Sequence, residues 1–295
     1  MPLSLNLPYA VCWLATRLAR RACAADAEPV IDASQYVHYQ YRSSGDIRRR
    51  FMQEVPLAGQ VVVDVGSGLG GRAPYFVEAG AQRVHCVDIN REELSTGAQV
   101  IAAEFPAAKD RIQFSHPGEL AERNFADVAV LVDCFEHLRD PAAVLDQVHG
   151  WLRPGGLAWI GSIGWYHYRA SHCISHIPIP WCQLLFSERA LLDTIRSLLR
   201  SPGYQPNHWE RLEGLDRWDG IETLKDRPGE PLNMLSLRGV RRVMAASPLV
   251  VRRFQVYGFA GRRLRCARLL SGAAQLPLLD EVFHSYYAAV LVKPC

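Results

Sequence analysis

The sequence predicts an α/β protein built on a doubly wound, mostly parallel sheet, and three observations carry that reading. Short apolar runs recur at 61–65, 83–88, 111–114, 127–132 and 157–161, each about as long as a strand. Helix-length stretches with start and stop residues separate them. A glycine-rich turn, Asp64-Val-Gly-Ser-Gly-Leu-Gly-Gly71, follows the first run. Strand and helix alternating at this spacing imply parallel crossovers with helices on both faces.

The elements follow in order. The apolar run from Tyr9 to Ala15 is too short to span a bilayer, and Arg17, Arg20 and Arg21 come straight after it. A secretory leader carries its charge before the apolar stretch, so this segment reads as an amphipathic helix instead. Trp13, Leu14 and Leu18 are available to one face, either docked on the domain or lying on a membrane surface. Val61–Val65 is a buried parallel strand and Arg83–Asp88 a second, after which Asn90 caps a helix with Glu93 at the capping-box position. Arg111–Phe114 and Asp127–Val132 are the third and fourth strands. Asp140-Pro141 opens a helix to Leu152, Pro154-Gly-Gly156 ends it, and Leu157–Gly161 is the fifth strand. Residues 162–186 break the pattern with aromatics and histidines. Ser187 starts a helix to about Arg200, residues 203–234 read as an irregular cap, and Ser236 opens a helix to about Ala246. Late strands near 251–259 and 287–292 complete the sheet edge. The chain divides into a helix and lid segment (1–54), a core (55–161), an aromatic insertion and cap (162–250) and terminal strands (251–295).

Composition sets the outer bounds. Over 295 residues, 49% hydrophobic and 21% charged describe a globular chain with a sizeable core rather than a disordered or fibrous one. Lys plus Arg, 33, nearly balance Asp plus Glu, 30, which argues against a wholesale nucleic-acid binder. None of the eight cysteines forms a C-x-x-C pair, and several sit in apolar runs, which points to a reduced, cytoplasmic protein. The charge is uneven, however: no acidic residue lies between Glu230 and Asp280, while arginines crowd 238–268.

The turn at 64–71 permits close approach of a ligand to backbone N–H groups, but its glycines also satisfy the dinucleotide fingerprint. Three features choose between cofactors. Asp64 stands two residues before Gly66, where it would repel a pyrophosphate and welcome an ammonium. Asp88 ends the second strand, placed to accept two ribose hydroxyls. Asp133-Cys-Phe-Glu-His-Leu138 follows the fourth strand, and Leu152-Arg-Pro-Gly-Gly156 precedes the fifth.

This ordered set resembles the class I S-adenosylmethionine-dependent methyltransferases, within them the bacterial small-molecule group. The resemblance covers about 55–160. It implies a Rossmann-like sheet of the seven-stranded methyltransferase type, with a helical or irregular C-terminal cap and an N-terminal lid helix. It further implies that Gly66, Ser67, Gly68 and Gly70 wrap the methionine part of S-adenosylmethionine, that Asp88 holds the ribose and that Ile89 packs on the adenine. Cys134 would lie near the sulfonium. The segment Tyr36–Arg42 resembles the family's lid, which puts Tyr39 over the acceptor and Arg42 within reach of the cofactor carboxylate. Where the family carries an acidic residue after the third strand, this chain reads Ser115-His-Pro-Gly-Glu119.

Methyl transfer is an in-line displacement that needs alignment in a dry pocket and, for a hydroxyl acceptor, a base. Candidate bases are His137, His167, His172 and His176, the last two spaced i, i+4 as on one helix face. No metal is expected, because Pro178 and Pro180 cut such a helix short and no carboxylate follows before Glu188. Trp165, Tyr166 and Trp181 offer aromatic walls for a ring-containing small molecule. Arg241, Arg242, Arg252 and Arg253 either favour an anionic acceptor or protect an edge strand. A lipid-directed methyltransferase using Glu136, an RNA methyltransferase and a non-catalytic binding module are the competing readings.

Overall fold

The computed structural model describes residues 5–22, 32–202, 204–206, 210, 214–227, 231–258 and 271–295. Its strands are β1 (Val61–Val65), β2 (Arg83–Val87), β3 (Ile112–Ser115), β4 (Ala126–Val132), β5 (Leu152–Ser162), β6 (Val250–Gly258) and β7 (His284–Val292). They form one sheet in the order β3-β2-β1-β4-β5-β7-β6. β1 to β5 are parallel, and β7 enters antiparallel between β5 and β6. Every residue of β4 is buried, as its unbroken apolar run requires at the centre of a sheet covered on both faces.

The helices are α1 (Tyr9–Ala22), α2 (Ala33–Phe51), α3 (Ala73–Glu78), α4 (Arg91–Glu104), α5 (Pro141–Trp151), α6 (Cys182–Leu185), α7 (Glu188–Leu199), α8 (Leu237–Ala246) and α9 (Asp280–Phe283). Their starts follow from side-chain caps: Asn90, Asp140, Ser187 and Ser236 each accept backbone N–H bonds from the first turn. One face of the sheet packs on Val37 and Met52 beside Phe76 and Ile101, from α2, α3 and α4. The other packs on Leu145 and Val148 of α5 and Val240 and Met244 of α8. A third core, with Cys173, Ile177, Leu191, Ile195 and Trp218, lies in the cap and takes in Cys12 from α1. The N-terminal helix therefore belongs to the cap, and it docks through Cys12 and Thr16, not through the Leu14–Leu18 face.

Two boundaries differ from expectation. β5 begins at Leu152, because Pro154-Gly-Gly156 forms an irregularity inside the strand with Gly155 at φ 78°, rather than a loop before it. The described part of the arginine-rich stretch lies on α8 and on β6, the edge of the sheet. Arg253 pairs with Glu54 at 2.7 Å and Arg241 with Asp280 at 3.7 Å, Arg241 also covering the Phe254 ring. Arg242 and Arg252 are exposed. Arg241 and Arg253 thus lie against β6, the edge strand of the sheet. Residues 259–268 of that stretch lie outside the described residues.

Strand order reverses direction between β1 and β4, which opens a crevice at their carboxyl ends.

Candidate active site

The floor of the crevice is the turn after β1. Gly66, Gly68 and Gly70 all have positive φ. At Gly66 the requirement is doubled, since a Cβ would also come within 2.6 Å of the Cys134 Cβ. The turn is tied down on both sides: Gly68 N–H donates to Asp88 Oδ2 at 2.8 Å, and Gly71 N–H donates to Gln40 Oε1 at 3.0 Å. Asn90 N–H occupies the other Asp88 oxygen at 2.9 Å, yet each carboxylate oxygen keeps a second lone pair for a further donor. Ile89, next in sequence, is 76% exposed at the rim.

Burial pushes the Asp64 carboxyl up to about 6, against the pull of the nearby Arg72 guanidinium. Asp64 Oδ2 and Ser67 Oγ are buried without a hydrogen-bond partner among the described residues. Two orphaned polar atoms beside a close-approach glycine turn fit the ammonium-bearing end of S-adenosylmethionine. Arg72 is itself buried and faces Asp133, Nη2 to Oδ2 3.8 Å. Asp133 sits at φ 51°, just past β4, with its half-exposed carboxyl turned toward Arg72. Cys134 Sγ donates to Val65 O at 3.1 Å and burial pushes its thiol well up, so it lines the turn as an uncharged group.

Next to Cys134 lies a 3-10 turn (Phe135–His137). His137 Nδ1 bonds the Pro231 carbonyl at 3.0 Å, Ser162 Oγ donates to Glu136 Oε2, and the Glu136 carboxyl is raised by burial. His172 Nε2 approaches Glu136 Oε1 at 3.8 Å, and its ring meets that of His137 edge-on at 4.7 Å. Asn233 braces the turn, its Nδ2 donating to Phe135 O at 2.7 Å and its N–H to Glu136 O at 2.9 Å. Donor atoms of Glu136, His137 and His172 lie within 4.8 Å of one another, so this trio is also close enough to share one divalent ion, where the sequence suggested no metal. A small cavity beside the turn is lined by Glu136, Trp165, Ala170, Leu232 and Met234, and the buried Trp165 Nε1 has no partner among the described residues.

The other candidates fall elsewhere. His172 and His176 do not share a helix face: His172 adopts φ 53°, a 3-10 turn (Cys173–Ser175) intervenes, and the two rings part. His176 is 1% exposed and turns into the cap, with Nε2 bonded to Glu210 Oε1 at 2.9 Å and Tyr204 Oη at 3.0 Å. His167 accepts the Arg169 N–H on Nδ1, and burial holds its imidazole neutral, down to about 2. Trp181 donates to the Tyr166 carbonyl at 3.1 Å, so these two aromatics brace the insertion itself; Trp165 alone of the three lines the cavity. Tyr39 is exposed beside Tyr36. Arg42 lies on the exposed side of α2, its Nε bonded to the His38 carbonyl one turn back, and Gln40 rather than Arg42 reaches the glycine turn. Glu119 is committed to Arg91 and to the His116 N–H. Gln40, Arg72 and Asn233 were not singled out from sequence, and Asp133 only as the first residue of the run after the fourth strand; Arg72 adjoins the glycine turn, and that adjacency was the available signal.

Comparison with known proteins places these features. A family model described as a methyltransferase domain matches residues 36–164. The ubiquinone biosynthesis O-methyltransferase of Psychrobacter cryohalolentis is 32% identical over 114 residues, 37% of this chain and 43% of that protein. Phosphoethanolamine N-methyltransferase 2 of Caenorhabditis elegans is 28% identical over 42% of this chain and 28% of that protein. The match thus spans less than half the length of these curated relatives. The fold is shared with the crystal structure of geranyl diphosphate C-methyltransferase from Streptomyces coelicolor, with a TM-score of 0.50, 13% identity and coverage of 86% of this chain and 81% of that one. Residues 36–164, which carry β1 to β5 and the glycine turn at the β1–β4 crevice, are thus similar to a methyltransferase domain.

Proposed function

We propose that the chain is an S-adenosylmethionine-dependent methyltransferase that methylates an oxygen, or a nitrogen, of a ring-containing small molecule. Bound S-adenosylmethionine supplies an electrophilic methyl group on a sulfonium. Asp64 and Ser67 take the ammonium end, Asp88 the ribose hydroxyls and Ile89 one face of the adenine, while Cys134 lines the floor between them. The observation that carries the reading is the trio of Glu136, His137 and His172, which begins two residues after the cysteine that touches the glycine turn.

The trio supplies a base where an acceptor would meet the methyl group. The Pro231 carbonyl holds the proton of His137 on Nδ1, which leaves Nε2 as an acceptor. Glu136 stabilises whichever imidazole takes the hydroxyl proton as the carbon–oxygen bond forms. His172, held at a left-handed backbone position beside Glu136, is the second candidate base. Trp165 and Met234 keep water out and offer an apolar and aromatic surface to a ring. The relatives' names, an O-methyltransferase of ubiquinone biosynthesis and a phosphoethanolamine N-methyltransferase, support a small-molecule acceptor.

The test has two arms. S-adenosylhomocysteine should raise the melting temperature while NAD and NADP leave it unchanged. Incubation with methyl-labelled S-adenosylmethionine and a metabolite extract should label a small molecule, and His172→Ala should lower turnover by about 10²–10⁴-fold with cofactor affinity retained. Stabilisation by NAD alone, or full turnover in His172→Ala, overturns the reading. Turnover that falls on chelation and returns with a divalent cation reassigns the trio as a metal centre.

A further inference from the structure

One face of α1 serves the fold and the other does not. Cys12 and Thr16 are buried, the Tyr9 hydroxyl bonds Ser197 Oγ of α7 at 3.0 Å, and Arg20 donates to the His176 carbonyl at 3.1 Å. Just before the helix, Leu7 bridges to Phe186. Val11, Leu14 and Leu18, spaced i, i+3, i+7, point away from this anchorage; Leu14 is 60% and Leu18 57% exposed, and Leu5 is exposed too. Beside the row runs a cleft of about 450 Å³ between α1 and the end of α7, lined by Trp13, Arg17, Arg20, Arg21, Leu198 and Ser201. No Asp or Glu precedes Asp26 in the sequence, so nothing on this segment offsets the three guanidinium groups.

We propose that this face docks the protein on an anionic phospholipid bilayer. A row of leucines alone would fit any apolar partner. Leucines flanked by arginines on a helix without acidic residues fit the boundary between acyl chains and negatively charged headgroups. Val11, Leu14 and Leu18 enter that boundary, Arg17 and Arg21 meet lipid phosphates along the cleft, and Trp13 sits at headgroup level. No helix among the described residues is long and apolar enough to cross a membrane, so the contact is peripheral. Through Arg20 and the His176 carbonyl, the docked helix holds the segment that carries His172 near the bilayer. The docking itself depends on no reading of the catalysis.

The experiment is sedimentation of the full chain with vesicles, either phosphatidylcholine alone or an equal mixture with phosphatidylglycerol, over a salt series. Binding is expected to the mixed vesicles and to weaken as salt rises. The double variant Arg17→Gln/Arg21→Gln should partition about 30-fold less, at roughly one kcal/mol per arginine. Leu14→Ser/Leu18→Ser should abolish binding. Both pairs are on the surface, so melting temperature and S-adenosylhomocysteine binding should match the unaltered protein, which separates lost docking from lost folding. Three results overturn the proposal: no sedimentation on mixed vesicles at low salt; binding that survives both double variants; or a leucine pair that turns a dimer into a monomer without vesicle binding, which would make the face a self-association surface.

Discussion

Gly97 lies inside α4, where alanine is normally the better residue by about 1 kcal/mol. The structure reverses that expectation. A Cβ at Gly97 would come within 2.7 Å of the Leu69 carbonyl carbon and 2.9 Å of its Cα, with the Leu69 oxygen closer still. All three are backbone atoms of the glycine turn, which cannot recede freely because Gly68 is bonded to Asp88 and Gly71 to Gln40. Overpacking of this kind costs about 1–3 kcal/mol, enough to cancel the propensity gain and leave Gly97→Ala destabilised by up to about 2 kcal/mol. Any relief must come from displacement of the turn, so S-adenosylhomocysteine affinity should fall by about tenfold. Gly150→Ala is the control. It too lies in a helix, α5, but the atoms its Cβ would meet belong to the flexible Arg123 side chain, which can swing away. Urea denaturation of the three proteins, with calorimetric titration of S-adenosylhomocysteine, checks both effects. A Gly97→Ala protein that unfolds at higher urea and binds the ligand unchanged would refute the reasoning, since it would mean that α4 does not hold the turn.

Further outcomes follow from the same geometry. Asp88→Asn turns an acceptor of two backbone N–H groups toward them with an amide donor, so S-adenosylhomocysteine affinity should drop roughly 10- to 100-fold by titration. His176→Ala leaves the Glu210 carboxyl buried beside Tyr204 with its imidazole partner gone; the expected loss is about 3–5 kcal/mol of stability, with kcat unchanged in the folded fraction. His167 and His284, the latter lowered to about 4, each accept a backbone N–H that protonation would break, from Arg169 and from Gly164. Their native values lie below the ordinary 6.5, so the unfolded chain binds more protons and stability falls as pH drops below 6.5. Between pH 6.5 and 5 each costs about 2 kcal/mol, and His167→Asn should remove its share in urea titrations at the two pH values.

The central sheet was legible because its signals are local. Valine runs at β1 and β4, together with capping residues such as Asn90 and Asp140, say strand or helix without reference to distant partners. What escaped depends on contacts across the chain. Gln40 is one unremarked residue of the lid segment 36–42 until Gly71 donates to it, 31 residues away. The i, i+4 spacing of His172 and His176 suggests one face only if the segment is helical, and φ 53° at His172 breaks that premise. Asn233 gains its role by bonding a turn nearly a hundred residues earlier in the sequence. The arginine-rich stretch left an anion site and edge protection both open because composition ignores position; Arg253 lies on the edge strand β6 and Arg241 over its Phe254 ring.

Charge at the crevice was half legible, and the other half decides what the crevice favours. Asp64 was visible beside the glycines, but Arg72 and Asp133 come together only where the ends of β1 and β4 adjoin. One guanidinium between the buried Asp64 carboxyl and the half-exposed Asp133 carboxyl leaves an excess of negative charge when both acids ionise. Burial answers by raising the Asp64 carboxyl to about 6. A ligand that brings positive charge to this end relieves that cost directly, whereas a pyrophosphate adds to it. Glycine spacing alone fits either ligand. The electrostatics of Asp64, Arg72 and Asp133 favour the ammonium and sulfonium of S-adenosylmethionine over a dinucleotide.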